Sequence, residues 1–181
     1  MFSIAAALVI AQADAASAPT AAAPPAPPPC ASPTRRAFDF WVGEWEVYPN
    51  LKDPAKAPLI ARSRIENLYG GCAIRENWMP LKGSGGGSLN TYDPSSGRWH
   101  QFWVDSSGGK VEFAGGPVAG KMVLTGLWRG INGPGQDGLI RMSYTALGPD
   151  TVRQHGEIST DQGLSWNDNF DFVYRRVKPA G

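Results

Sequence analysis

The sequence predicts an all-β fold, an up-and-down antiparallel barrel of about ten strands with a short helical turn ahead of it, and three observations carry that reading. From Phe38 onward, apolar and polar residues alternate with a period of two, the mark of half-buried strands. Clusters of Gly, Pro, Asn and Asp break the alternation at intervals of about eight to twelve residues, which is the spacing of short strands joined by tight turns. The composition agrees: 22 glycines and 16 prolines punctuate turns, and seven tryptophans suit a wide core.

A chain of 181 residues, 42% of them hydrophobic, accounts for one core of ordinary domain size without a second. Its net charge is +1, from 17 basic and 16 acidic side chains. That balance offers neither the basic face of a nucleic-acid binder nor a polybasic membrane patch.

The amino-terminal residues stand apart from the barrel. MFSIAAALVI is a short apolar run followed by small residues that offer cleavage at Ala13, Ala15 or Ala18, so residues 1–18 read as a secretory signal peptide, although no Lys or Arg precedes the run. The run is too short to span a bilayer, and no stable membrane anchor is expected. Residues 19–34 are rich in Ala and Pro, and such a segment forms an extended spacer rather than a core. The barrel domain is assigned to 35–178.

Two cysteines, Cys30 and Cys72, complete the count. In an oxidising compartment they invite a bridge that pins the lead-in against the barrel, and closing a loop of that length contributes about 3 to 4 kcal/mol in the chain-entropy model. The alternative is a buried free thiol at Cys72. Two cysteines at this spacing are not a metal motif.

The strands are expected over 44–49, 58–68, 71–79, 85–93, 97–105, 109–115, 119–128, 137–147, 150–159 and 165–176, with a helical turn near Arg35 to Trp41. Between them lie Tyr69-Gly70-Gly71, Asp93-Pro94-Ser95-Ser96-Gly97, Ser106-Ser107-Gly108-Gly109, Asn132-Gly133-Pro134-Gly135 and Gly148-Pro149-Asp150. Each supplies the positive or preset φ of a tight connection. Short connections join antiparallel neighbours, and a meander of this length removes its edges by closing. A two-sheet sandwich is the alternative.

The stretch FDFWVGEWEV holds Gly43-Glu44-Trp45 just before the first strand. It resembles the G-x-W element of lipocalins and related calycin barrels. In those folds the Trp closes the barrel bottom beneath an Arg from the last strand, and the resemblance implies that role for Gly43 and Trp45 with the Arg175-Arg176 pair. The wider order of strings, FDFWVGEWEV, GGC, GGSLNTYD, RWHQFWVDSSG, ISTDQGLSW and FVYRR, resembles a group of uncharacterised bacterial exported proteins. It covers most of residues 38 to 176 and implies the fold and export rather than an activity.

Ser159-Thr160-Asp161-Gln162-Gly163-Leu164-Ser165-Trp166 resembles the Asp-box hairpin of sialidase propellers and several unrelated β-proteins. Propellers repeat it, whereas this chain has it once. A structural turn between the last two strands follows, with Asp161 accepting backbone hydrogen bonds and Trp166 packing below.

A functional site belongs on the central strands. Alternation puts Trp99, Gln101, Trp103 and Asp105 on one face and Arg98, His100, Phe102 and Val104 on the other. Asn90 and Tyr92 join the first set across one turn, and Glu76 and Trp78 from the strand before that. Indoles, amides and a carboxylate facing one interior suit a small, largely apolar or planar ligand. The bland alternative is a filled core whose polar groups pair with one another.

No Ser/His/Asp or Cys/His constellation is recognisable, so no catalytic residue, metal or cofactor is assigned. SGGGS at 84–88 lacks the Lys and helix of a phosphate loop and reads as a hairpin tip. Two classes remain open: a periplasmic or secreted barrel that binds a small apolar molecule, and an enzyme using a pocket carboxylate or His on a hydrophobic substrate. A haem variant, as in the ten-stranded nitrobindin group, would use His155 as its ligand.

Overall fold

The computed structural model describes residues 30–178. The expected signal peptide and most of the expected spacer therefore lie outside the described residues. Ten antiparallel strands form a closed barrel: β1 Gly43–Pro49, β2 Ala61–Leu68, β3 Ala73–Pro80, β4 Gly86–Asp93, β5 Arg98–Asp105, β6 Lys110–Val118, β7 Lys121–Trp128, β8 Gly138–Gly148, β9 Thr151–Ser159 and β10 Asn167–Arg176. Each pairs with its sequence neighbours, and β10 returns to β1 to close the ring. Every backbone edge is thereby paired, as the short connections demanded.

One connection was not read from the sequence. Between β6 and β7 the chain turns on Ala119 and Gly120 with φ of 48° and 78°, the two positive values of a two-residue hairpin turn that matches strand twist. Helical content also differs from expectation. Beside the turn at Asp39–Trp41, two further single-turn 3-10 helices occupy Pro54–Lys56 and Tyr69–Gly71. Asp53 caps the first of these by accepting from the Ala55 N–H at 3.2 Å, with Pro54 preset at its first position.

The barrel has two unlike ends. At the end where β1 begins and β10 stops, residues 30–41 form a plug. Phe38 stacks on Trp41 at 4.9 Å and meets Trp99 and Tyr144 edge-on. The Trp45 indole donates to the Trp41 carbonyl at 2.9 Å, and the Trp99 indole to the Thr34 carbonyl at 3.2 Å. Phe38, Trp41 and Trp45 are fully buried, and each such ring contributes on the order of 2 to 3 kcal/mol. The Cys30–Cys72 disulfide, with Cα atoms 5.0 Å apart, ties the start of the plug to the turn before β3. A structural disulfide of this kind forms and persists in oxidising compartments.

Outward positions alternate with these buried ones. Glu46 faces Arg62 and Glu44 faces Arg64 across the β1–β2 ladder, while Arg141 grips Glu157 through two bonds of 2.9 Å across β8–β9. Among the described residues no helix is long and apolar enough to cross a membrane.

Candidate functional site

Above the plug, toward the opposite end, the barrel interior opens into a cavity of about 240 Å³. Its shape follows from strand periodicity. Residues two apart share a face, so Glu76 and Trp78 on β3, Gln101 and Trp103 on β5, and Phe170, Phe172 and Tyr174 on β10 all point inward. Phe113, Trp128, Met142, Tyr144 and Gln154 complete the lining from β6 to β9.

The walls are aromatic. Trp78 stacks on Phe172 at 5.7 Å and Phe172 on Phe170 at 5.1 Å, forming a continuous arc, with Phe113 and Trp128 edge-to-face at 6.5 Å. Inward-facing glycines on neighbouring strands make room for these rings. A Cβ at Gly156 would strike the Phe170 ring, and one at Gly86 would strike Trp103. Gly156 lies directly across the ladder from Phe170, and Gly86 lies diagonal to Trp103, whose partner in register is Ser88.

The floor is polar and internally bonded. Ser63 and Ser88 hydroxyls donate to the two oxygens of Glu76 at 3.3 and 3.0 Å. Asn90 donates to Ser88 and to the Ile74 carbonyl, each at 3.0 Å. Gln101 donates to Asn90 at 2.7 Å and to the Tyr144 hydroxyl at 3.3 Å. Gln154 donates to Tyr144 at 3.0 Å and accepts from Tyr174 at 2.6 Å. A chain of neutral groups therefore runs from Glu76 halfway round the barrel.

Glu76 is buried among them, and none of the described residues forms an ion pair with it. Burial pushes its carboxyl up to about 7, against the smaller opposing effect of the Ser88 and Ser63 hydroxyls. Burial likewise raises the Tyr144 and Tyr174 phenols, and the nearby Glu76 charge adds to it. Glu76 is consequently the one group lining the cavity that titrates near neutrality.

The residues expected to form the site divide between the two ends. Glu76, Trp78, Gln101 and Trp103 line the cavity, and Asn90 lies beneath them as a link in the floor. Trp99 and Tyr92 belong to the plug, Trp99 under Phe38 and Tyr92 beneath the Arg35 guanidinium at 5.6 Å. Asp105 turns into the β5–β6 connection. There it accepts from the Ser107 and Gly109 N–H groups at 2.9 and 3.0 Å and from the Trp103 indole at 3.3 Å. The Ser107 hydroxyl is the main reason its carboxyl is held below the usual range. It braces the rim and steadies one ring of the wall.

The histidines lie elsewhere. His155 is on the outer face of β9 with Nε2 at 2.8 Å from Asp168 Oδ1, and His100 is on the outer face of β5 with Nδ1 at 3.1 Å from Glu112 Oε1. Neither lines the cavity. The haem alternative through His155 therefore lacks an interior ligand, and pocket chemistry by a histidine loses its residue; alternation from the inward Gln154 sends both His155 and Arg153 outward.

Asp161 holds the β9–β10 turn, accepting from the Ser165 N–H at 2.9 Å, while Gly163 sits at φ 92°. Trp166 lies on the barrel's exterior, 4.1 Å from the Arg141 guanidinium carbon.

The sequence reading missed the whole contribution of β6 to β10. Its signal was present: Met142 and Tyr144, and Phe172 and Tyr174, are spaced two apart within alternating strands. Closure was expected; what was not legible was which inward residues meet across the closed ring, where Phe172 of β10 comes against Trp78 of β3.

Fold and cavity together define a closed up-and-down barrel, plugged at one end and hollow and aromatic at the other. No protein-family model matches the chain, and no curated protein matches it.

Proposed function

We propose that this protein is an exported barrel that binds a small, largely apolar or planar molecule in its interior. The observation that carries the reading is the cavity itself: indole and phenyl walls over a hydrogen-bonded polar floor. A pocket of that make-up removes an apolar body from water while a few fixed polar groups orient it. Floor groups already bonded to one another hold their positions before a ligand arrives, which lowers the ordering cost of binding. The Cys30–Cys72 bridge, together with the signal-like residues 1–18, supports export to a periplasmic or extracellular setting.

The test is to recover the protein from the periplasm, extract it with organic solvent and analyse the extract by mass spectrometry, then titrate the emptied protein with naphthylmethanol by calorimetry. A stoichiometric organic molecule in the extract, or saturable one-to-one binding of the probe, is the expected result. An empty extract together with no saturable binding overturns the reading.

A further inference from the structure

The chemistry of the cavity floor narrows the class of ligand. Resting on the binding function proposed above, we infer that the cavity takes a small organic cation, an amine or quaternary ammonium carried on an apolar or planar body, with Glu76 as its counter-ion.

Three features lead there. Glu76 lines the cavity and is buried, yet both protein donors to it are neutral hydroxyls, Ser63 and Ser88. An ionised carboxylate offers roughly four acceptor sites, so acceptor capacity remains toward the cavity. Structural buried carboxylates are paired with a cation; this one is not, although Arg62 and Arg75 stand on the same pair of strands. Both of those arginines face outward and pair with Glu46 and Glu66.

The second feature is the company Glu76 keeps. No Lys, Arg or His is among the residues lining the cavity. An anionic ligand, such as a fatty acid or a phosphate, would meet a buried carboxylate and no compensating charge. A cation meets the opposite.

The third is the walls. The rings of Trp78, Tyr174 and Phe172 line the same cavity as Glu76 and adjoin one another, with Trp78 6.2 Å from Tyr174 and 5.7 Å from Phe172. Aromatic faces attract a desolvated cation through their quadrupole. A carboxylate at the base and aromatic rings at the sides together suit a cation, and the remaining wall of Phe113, Trp128 and Phe170 accommodates an apolar body.

The groups facing Glu76 are Ser63 on β2, Ser88 on β4, Tyr144 on β8 and Tyr174 on β10. The phenols stay protonated throughout the neutral range. Only the charge on Glu76 changes there, being present above neutrality and lost below it. Binding of a cation should therefore strengthen as pH rises.

The experiment is calorimetry on the full, oxidised protein with three isosteric probes: naphthylmethylamine, naphthylmethanol and naphthoate. At about pH 8 the amine is expected to bind at least about tenfold tighter than the alcohol, with naphthoate weakest. Glu76→Gln should abolish the preference for the amine over the alcohol. Should that variant fail to fold, the wild-type protein carries the same test, since amine affinity should fall between about pH 8 and pH 5.5 while alcohol affinity stays level. An amine no tighter than the alcohol, a preference retained in Glu76→Gln, or amine binding that strengthens in acid overturns the inference. In each of these cases saturable alcohol binding leaves the cavity's binding role standing, whereas failure of all three probes removes both.

Discussion

The guanidinium of Arg176 lies over the indole of Trp45, its central carbon 4.2 Å from the ring centroid, and so fastens the last strand to the first. The same side chain donates to the Val42 carbonyl at 3.0 Å and to the Pro149 carbonyl at 3.2 Å. Gly43 permits the arrangement: its φ is +147°, and a Cβ there would collide with the guanidinium nitrogen. The G-x-W string is thus a three-part closure in which Gly leaves space, Trp fills the barrel end and the distant Arg covers it. Its neighbour Arg175 covers Tyr48 instead, at 4.5 Å.

Removing that cover should weaken the barrel. Arg176→Ala forfeits a cation–π contact and a part-buried hydrogen bond, together about 2 kcal/mol. Gly43→Ala should cost at least about 1 kcal/mol, because it forces both the backbone and Arg176 to move. The two losses should be less than additive in a double variant, since both act through the same guanidinium. Urea unfolding midpoints measure all three. A Gly43→Ala protein as stable as the parent would contradict the close approach.

The disulfide should stabilise by restricting the unfolded chain. Cys30 and Cys72 are 42 residues apart, for which the chain-entropy model gives about 4 kcal/mol. Reduction, or Cys30→Ala with Cys72→Ala, should lower the unfolding midpoint accordingly while leaving the barrel's far-ultraviolet circular dichroism unchanged. An unchanged midpoint would show that the plug holds without its tether.

Glu76 should make stability depend on pH. Its folded carboxyl is raised from 4.5 to about 7, so between those values the folded state holds a proton that the unfolded state has released. The favourable contribution is complete below about pH 4.5 and is lost as pH rises through 7, by on the order of 3 kcal/mol. Glu76→Gln should therefore be the more stable protein at about pH 8 and lose that advantage near pH 5. A difference between the two proteins that does not vary with pH would contradict the burial of an ionisable group on the floor.

The aromatic wall depends on the glycines opposite it. Gly156→Ala should cost about 1 to 3 kcal/mol by forcing the Phe170 ring from its place, and Gly86→Ala a similar amount by crowding both the Trp103 ring and the Val104 carbonyl; each should weaken probe binding as the displaced ring enters the cavity. Gly116→Ala serves as control, because a Cβ there meets nothing within 4 Å. Equal stability and equal binding in all three variants would refute the glycine–ring pairing.

These relationships mark the limit of what the sequence made legible. Strand positions were legible because alternation and turn chemistry are local, and the inward set Trp99, Gln101 and Trp103 followed from period two alone. Which end of the barrel each inward residue occupies was not. Trp99 and Trp103 share a face yet lie about 13 Å apart along the strand at about 3.3 Å per residue, so one meets the plug and the other the cavity. Asp105 read as a pocket carboxylate because alternation carries it inward, but the turn just beyond offers it two N–H donors, and local bonds won. Glu76 was legible as inward and polar. That it would face hydroxyls rather than an arginine depended on the outward pairing of Arg62 and Arg75, which becomes visible only once β1, β2 and β3 are in register.

The central claim is that the cavity end, and not the plug, receives a ligand. The most direct measurement is an N–H correlation NMR titration of the protein with naphthylmethanol, following the indole signals of its seven tryptophans. Saturable shifts at Trp78, Trp103 and Trp128, with Trp45 and Trp166 unmoved, are the predicted result. Shifts confined to Trp166 or to the plug tryptophans, or no saturable shift at all, would contradict it.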